Sequence, residues 1–414
     1  MSSDRIIVIG AGPAGMMAAG TAASCGAEVT VLEKNQRQGR KLVITGKGRC
    51  NVTNNCDTAK LMENIPVNPR FLYSAFSRFS PSDTMDFFEN RGVPLKTERG
   101  NRVFPCSDKA MDINDAMVTW CKENGVSFVT ERAAERIVVG DGGVRAVIAG
   151  GKEYECAACI LAAGGSSYPV TGSNGDGFRL AADVGHTITP ISPSLVPMET
   201  AENDCAAMQG LALKNIAITV LNDAGRTVYT DFGELLFTHF GLSGPVILSA
   251  SSHMRRAAGH VVSIDLKPAL SAEQLDARVQ RDFAQNINRD LSNALFGLLP
   301  RSMAPVIIRS SGIPPETKVN QISREQRLAL VALLKDYRLT VTKLRPIEEA
   351  IVTSGGVSVK EIEPKTMRSK LVGGLYFAGE VIDVDAHTGG FNLQIALSTG
   401  YSAGASAAEA LWER

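Results

Sequence analysis

The sequence predicts an α/β fold: a parallel-sheet domain assembled from both ends of the chain, interrupted by a small β-barrel-like domain and a helical block. Three observations predict it. A strand, glycine turn, helix and second strand open the chain between Arg5 and Glu33. Another strand ending in a glycine turn, Leu375 to Glu380, lies near the C-terminus. Between them come a hairpin, further short strands and a helical stretch with cap signals.

Arg5-Ile6-Ile7-Val8-Ile9 is an unbroken apolar run, as expected of a parallel strand buried on both faces. Gly10-Ala11-Gly12-Pro13-Ala14-Gly15 follows at once. Pro13 to Cys25 then reads as a helix stopped by Gly26, and Ala27 to Leu32 as the next strand. In this βαβ context a G-x-G-x-x-G is a dinucleotide fingerprint. Gly10 allows the tight turn, Gly12 lets the backbone approach a pyrophosphate, and Gly15 lets helix and strand pack closely. The helix N-terminus, at Pro13 and Ala14, offers N–H groups and a positive dipole end to phosphates. Glu33, ending the second strand, suits ribose hydroxyls, and its charge disfavours a 2′-phosphate.

From Lys34 to Cys56 there are six basic residues and no acidic one. Gly39, Gly46 and Gly48 let this loop bring backbone donors close to a flat or charged ligand. Lys34, Arg40, Lys41, Thr45, Gly46, Gly48, Arg49, Cys50 and Asn51 are the candidate contacts, the cations offsetting pyrophosphate charge. A short strand at Val126–Thr130 precedes Ala134. The apolar run Cys159 to Ala162 leads into Ala163 and Gly164. Near the C-terminus the candidates are Gly379, Glu380, Gly389, Gly390, Phe391, Asn392 and Leu393, the last four at the start of a helix whose N–H groups would face developing negative charge. Two such half-sites on one chain imply flavin adenine dinucleotide, a ligand long enough to need both.

In the middle, Ala217–Leu221 and Thr227–Thr230 flank Asn222-Asp223-Ala224-Gly225 as a hairpin, with further strands at Val261–Ile264 and Leu339–Thr342. Ser271-Ala272-Glu273-Gln274 and Ser323-Arg324-Glu325-Gln326 are capping-box starts. Leu275, Val279 and Phe283 share the first helical face, and Leu328, Val331 and Leu334 the second. The expected division is residues 1–190 and 351–414 for the FAD-binding domain, 191–270 and 337–350 for the barrel-like domain, and 271–336 for the helical insert.

The chain has 414 residues, 43 basic and 43 acidic, with 44% hydrophobic and 21% charged. This length calls for more than one core. The zero formal charge favours neither nucleic acid nor an anionic membrane. Ile6 to Ala27 is apolar, but its glycines and the absence of a cationic leader read as nucleotide binding rather than a signal or span. A cytoplasmic location is expected. Eight scattered cysteines do not make a disulfide framework, and no metal site is expected. In Cys156-Ala157-Ala158-Cys159 a strand would point the sulfurs to opposite faces. Cys50 and Cys56 are spaced differently from the dithiol of disulfide reductases.

These stretches, with Gly39 to Asn54, Gly233-Glu234-Leu235-Leu236-Phe237-Thr238-His239, Gly241 to Pro245, Thr353 to Val357 and Thr388 to Asn392, resemble a family across essentially the whole chain. It is the bacterial three-domain FAD flavoproteins known as NAD(P)/FAD-dependent oxidoreductases, with BaiN-like and aminoacetone-oxidase-like members. His387 departs from many relatives, which carry a small residue or proline there. The resemblance implies a glutathione-reductase-type FAD-binding Rossmann domain, in which Ala134 would meet the adenine, with a β-barrel-like insert and a helical sub-domain. It also implies an FAD-dependent oxidoreductase moving hydride between a small organic substrate and flavin N5. NAD(P)H, as a transient co-substrate, or oxygen is the second partner. An RNA-modifying flavoenzyme and a non-catalytic flavin-bound redox sensor are the alternatives, the first disfavoured by net charge. His387 and His239 are the acid–base candidates. Substrate identity and oligomeric state stay open.

Overall fold

The computed structural model describes residues 4–254 and 258–413. Its contacts divide the chain into two compact units, Met1–Ser194 with Ile347–Arg414, and Leu195–Pro346.

The first unit is a Rossmann-type α/β domain. Its central sheet is parallel, in the order Leu375–Phe377, Ala158–Leu161, Arg5–Ile9, Glu28–Leu32 and Ser127–Val129. Ile9 lies opposite both Leu32 and Leu161, and Leu161 opposite Phe377. Ile6, Ile7 and Val8 are fully buried, which is why this strand has no polar alternation. The strand order sets the last strand of the chain beside 158–161, itself beside the first strand. The two glycine turns therefore open at the same edge of one sheet, where ligands of doubly wound folds bind.

The helix Pro13–Ser24 packs against the C-terminal helix Phe391–Trp412. Glycine makes that approach possible. A Cβ on Gly400 or Gly404 would overlap the carbonyl oxygens of Ala14 and Ala18. Gly26 ends the first helix with φ +91°, as its position in the sequence predicts. The C-terminal helix runs eleven residues beyond Tyr401, to Trp412.

In the second unit six strands close into a barrel, in the order Met198–Thr200, Gly241–Ser243, Thr227–Phe237, Ala212–Leu221, Val261–Asp265 and Tyr337–Leu344. Alternate residues point inward: Ile218, Val220, Val262, Ile264, Leu339 and Val341 are buried. Ser271 and Ser323 both form complete capping boxes, starting the helices Ala272–Gln285 and Arg324–Lys335. Leu275, Val279 and Phe283 are buried as expected, in the same hydrophobic core as the barrel strands. The second helix departs from expectation. Leu328 is 43% exposed, and Leu330, Val331 and Leu334 make the buried face. Helical spacing alone fits either stripe, and packing on the barrel chose one of them. No described helix is long and apolar enough to cross a membrane.

Candidate functional site

Two of the three fingerprint glycines meet steric constraints, and the third faces open space. Gly10 adopts φ +101°, and a Cβ there would come within 2.5 Å of the Ala162 carbonyl oxygen. A Cβ on Gly15 would overlap the Gly10 carbonyl, so no other residue lets this helix sit so close to the turn. At Gly12 a Cβ would meet nothing within 4 Å. The space in front of the helix is open, Gly12 is its N-cap without a side-chain cap, and Pro13 occupies the first turn. Ala14 faces the other half of the chain: a Cβ on Gly379 would lie 2.7 Å from its methyl.

Glu33 is buried and already organised. Its Oε2 accepts the Ala11 N–H at 2.8 Å. Its Oε1 accepts the Asn35 N–H at 2.8 Å and Asn35 Nδ2 at 2.7 Å. A carboxylate has roughly four lone-pair positions, which leaves about one for a ribose hydroxyl. The Glu33 carbonyl accepts the Arg132 N–H at 2.9 Å, which sets the strand beginning at Ala134 near the same edge.

The basic segment contains a one-turn helix, Arg40–Ile44, where the sequence suggests only a loop. Gly39 starts it at φ +70° and donates its N–H to the Ala11 carbonyl at 2.9 Å. Gly46, Lys47, Gly48 and Cys50 are all left-handed, at φ 61°, 60°, 84° and 60°. For Lys47 and Cys50 this is a sparsely populated conformation. The Thr45 hydroxyl caps back onto the Lys41 carbonyl at 2.9 Å. Burial pushes the Cys50 thiol up to about 12, which leaves it protonated and unreactive at neutral pH.

Three of the cations read as phosphate partners have acidic partners of their own. Lys34 Nζ meets Asp176 at 2.7 Å and Asn174 at 2.6 Å. Lys41 Nζ donates to Glu380 Oε2 and Ser167 Oγ, both at 2.7 Å. Arg49 pairs with Glu98 and Asp108 while stacking 4.3 Å over the Phe104 ring. Arg40 donates to Asn35 Oδ1 at 2.8 Å. The segment therefore delivers less free positive charge than its composition suggests. Glu380 also accepts the Thr353 N–H at 2.8 Å and the Ser167 hydroxyl at 3.1 Å. Burial pushes its pKa up, but Lys41 and these donors outweigh that and hold it below the usual carboxylate range.

The C-terminal glycines are equally constrained. Gly379 has φ +75° and donates to Thr399 Oγ1 at 2.9 Å. Gly164, at φ +75°, leaves only 3.0 Å between an added Cβ and Ser173 Oγ, and Ala163 lies against Gly177. Gly389 and Gly390 adopt φ +129° and +98°. A Cβ on Gly390 would overlap the Thr53 carbonyl and lie 2.9 Å from Asn51 Oδ1. Asn54 Nδ2 donates to the Gly389 carbonyl at 3.0 Å, and Thr53 Oγ1 to Gln394 Oε1 at 2.6 Å. The end of the basic segment is thus stitched to the start of the C-terminal helix. Phe391 is buried there and Leu393 partly so. Asn392 braces its own turn, bonding the Ala386 carbonyl at 2.7 Å and the Ala386 N–H at 2.9 Å.

Of the two histidines, His387 is buried in this unit, 3.3 Å from Asn64 Oδ1 through Nδ1, and its N–H bonds the Asn64 carbonyl at 2.9 Å. His239 belongs to the barrel unit, exposed and edge-to-face with Phe240. One acidic residue is not singled out by the sequence. Asp385 is 1% exposed and accepts the hydroxyls of Ser194 at 2.7 Å and Ser354 at 3.0 Å. Burial raises its pKa to about 6. The signal that could have found it is the alternation Ile382-Asp383-Val384-Asp385-Ala386 just ahead of the Gly389–Gly390 turn. Among the described residues, no group of His, Cys, Asp and Glu could hold a metal ion.

These residues fit FAD. The space before Gly12 is open, an acceptor on Glu33 remains, and Asn51 Oδ1 is buried with no partner among the described residues. Fold and site together define the class: a Rossmann-type FAD-binding domain, as in FAD-dependent oxidoreductases.

Residues 4–406 match the model of the HI0933-like protein Rossmann domain, and the chain belongs to that family. It is 30% identical to the 3-dehydro-bile acid delta(4,6)-reductase of Clostridium scindens, over 98% of this chain and 99% of that one. It is 32% identical to the ribosomal RNA dihydrouridine synthase of Escherichia coli, over 96% of each. In fold it is similar to 3-ketosteroid delta1-dehydrogenase from Sterolibacterium denitrificans, with a TM-score of 0.53, 12% identity, and coverage of 98% of this chain and 100% of that one. The relative named for ribosomal RNA removes the support for excluding a nucleic-acid partner on net charge.

Proposed function

We propose that this chain is an FAD-dependent reductase of carbon–carbon double bonds conjugated to a carbonyl. The observation that carries the reading is the meeting of two glycine turns at one sheet edge, with Glu33 and the open helix N-terminus on one side and Gly379 and Gly389–Gly390 on the other. The names of the relatives supply the substrate class. A 3-dehydro-Δ4,6 steroid and the uracil ring share one motif, a C=C bond in conjugation with a ring carbonyl.

FAD, when bound, supplies hydride chemistry at N5. The chain's own residues bind and orient. The N-terminus of Pro13–Ser24 would take the pyrophosphate, and Glu33 a ribose hydroxyl, with Ala134 toward the adenine. The Lys41–Glu380 pair and the Asn51–Gly390 contact would hold the ring end in place. NAD(P)H is the electron donor that a reductase of this kind needs, visiting transiently.

The test begins with the visible spectrum of the purified protein and anaerobic mixing with NADH and NADPH. Bleaching that reverses on adding a conjugated enone supports the reading. A protein that takes up no FAD sinks it, and one that binds FAD but turns over neither an enone nor RNA is a redox sensor. The ribosomal RNA relatives favour a second reading, in which the conjugated bond lies in a uridine of RNA. Dihydrouridine in unmodified ribosomal RNA after incubation with protein and NADPH would select it over a free small molecule.

A further inference from the structure

The second unit is inserted into the first through two short paired strands, Ser192–Ser194 and Val352–Ser354. Beyond Ser354 the returning chain lies between two other segments. Thr189 donates its N–H to the Gly356 carbonyl at 2.8 Å on one side. Val357 donates to the Val381 carbonyl at 2.9 Å on the other, and Asp383 donates back to the Val357 carbonyl at 3.0 Å. Backbone bonds thus run from the insertion strands to residues 381–383. Asp383, the last residue named in this run of bonds, is six residues short of the Gly389–Gly390 turn.

Asp385 closes that gap. One carboxylate oxygen accepts from Ser194, the last residue of the first unit before the insert, and the other from Ser354 on the returning strand. Next to it in the chain, Ala386 and His387 are tied by the Asn392 side chain to the start of the C-terminal helix. Asp383, which precedes this stretch, is held by Asn68 Nδ2 through its carbonyl at 2.8 Å. An ordinary buried cap needs one oxygen and one strand. Asp385 uses both oxygens on both strands, although burial makes a carboxylate there costly.

We propose that Asp385 is a positioning residue: it fastens the outgoing and returning strands of the insert to the loop that shapes the Gly389–Gly390 turn, so that strand register and turn conformation are set together. The backbone part stands independently of the function proposed above, and only its cofactor consequence rests on that reading.

Hydrogen exchange in Asp385→Ala, Asp385→Asn and the double variant Ser194→Ala/Ser354→Ala tests it. Asparagine keeps the shape and one acceptor of the carboxylate, and the serine hydroxyls can rotate to suit its amide. Exchange about tenfold faster across 189–194, 352–357 and 383–390 together is expected in Asp385→Ala and in the double variant, with exchange no faster than wild type in Asp385→Asn. FAD affinity, read by flavin fluorescence, should fall about tenfold in Asp385→Ala and the double variant, and recover in Asp385→Asn. If Asp385→Ala does not fold, the serine pair carries the test. Faster exchange confined to the substituted segment, or equal effects of Ala and Asn, would overturn the proposal. Wild-type protein that binds no FAD would overturn the function above instead, while the exchange result still decides the positioning role.

Discussion

Asp385→Asn should make the first unit more stable at neutral pH, by an amount that shrinks in acid. Asp385 has a folded pKa of about 6 against an ordinary 3.8. The cause is burial first, with the charges of Asp383 and Glu380 adding to it and the hydroxyls of Ser194 and Ser354 opposing it. The folded state therefore holds this proton more tightly than the unfolded chain. Its stabilising effect is complete below about pH 4 and is lost as the pH rises through about 6. One pKa unit corresponds to about 1.4 kcal/mol, so ionisation of Asp385 costs about 3 kcal/mol at about pH 7.5 and half of that near pH 5. Asparagine is never ionised and avoids the cost. Urea denaturation followed by circular dichroism, in wild type and variant at about pH 5 and 7.5, should show the advantage of the variant growing by roughly 1 kcal/mol between the two. An advantage that does not change with pH, or a variant less stable at the higher pH, would refute the assigned burial and its sign.

Glu33→Ala should weaken FAD binding by about 1–3 kcal/mol, read by flavin fluorescence titration, because a buried acceptor toward the ribose is lost. Gly404→Val should destabilise the first unit by about 1–3 kcal/mol in the same denaturation assay, since the Ala18 carbonyl occupies the space its side chain needs. Lys41→Met should cost about 2 kcal/mol at neutral pH by leaving Glu380 buried without its cation. Because the Glu380 pKa is held low, that contribution is present above the ordinary carboxylate range and fades as the pH falls through it, so the gap to wild type should narrow in acid. Leu328→Lys, on the exposed face of its helix, should change stability by no more than about 0.5 kcal/mol.

Much of the fold and of the site is legible in the residues themselves. Gly10 and Gly15 declare their roles because each answers a constraint set by the turn and the helix beside it. The two capping boxes are legible for the same reason: they depend on neighbours within a few positions. Leu328 is not, because helical spacing does not say which of two overlapping stripes meets the barrel. The cations of the basic segment are visible in the sequence, but their partners are not. Lys41 and Glu380 are 339 positions apart, and Ser194 and Asp385 are 191 apart.

By itself the sequence determined the class of fold: two glycine turns at the ends of parallel strands, a carboxylate ending the second of them, and a barrel between. Those are local backbone requirements, and local requirements are written in adjacent residues. The tertiary structure alone decided where the charge goes. It spent Lys34, Lys41 and Arg49 on acidic partners, left Asn51 Oδ1 unpaired beside Gly390, and buried Asp385 between the two strands of the insert. Electrostatics and burial are set by groups brought together across the whole chain, and spacing along the sequence carries no record of which ones meet.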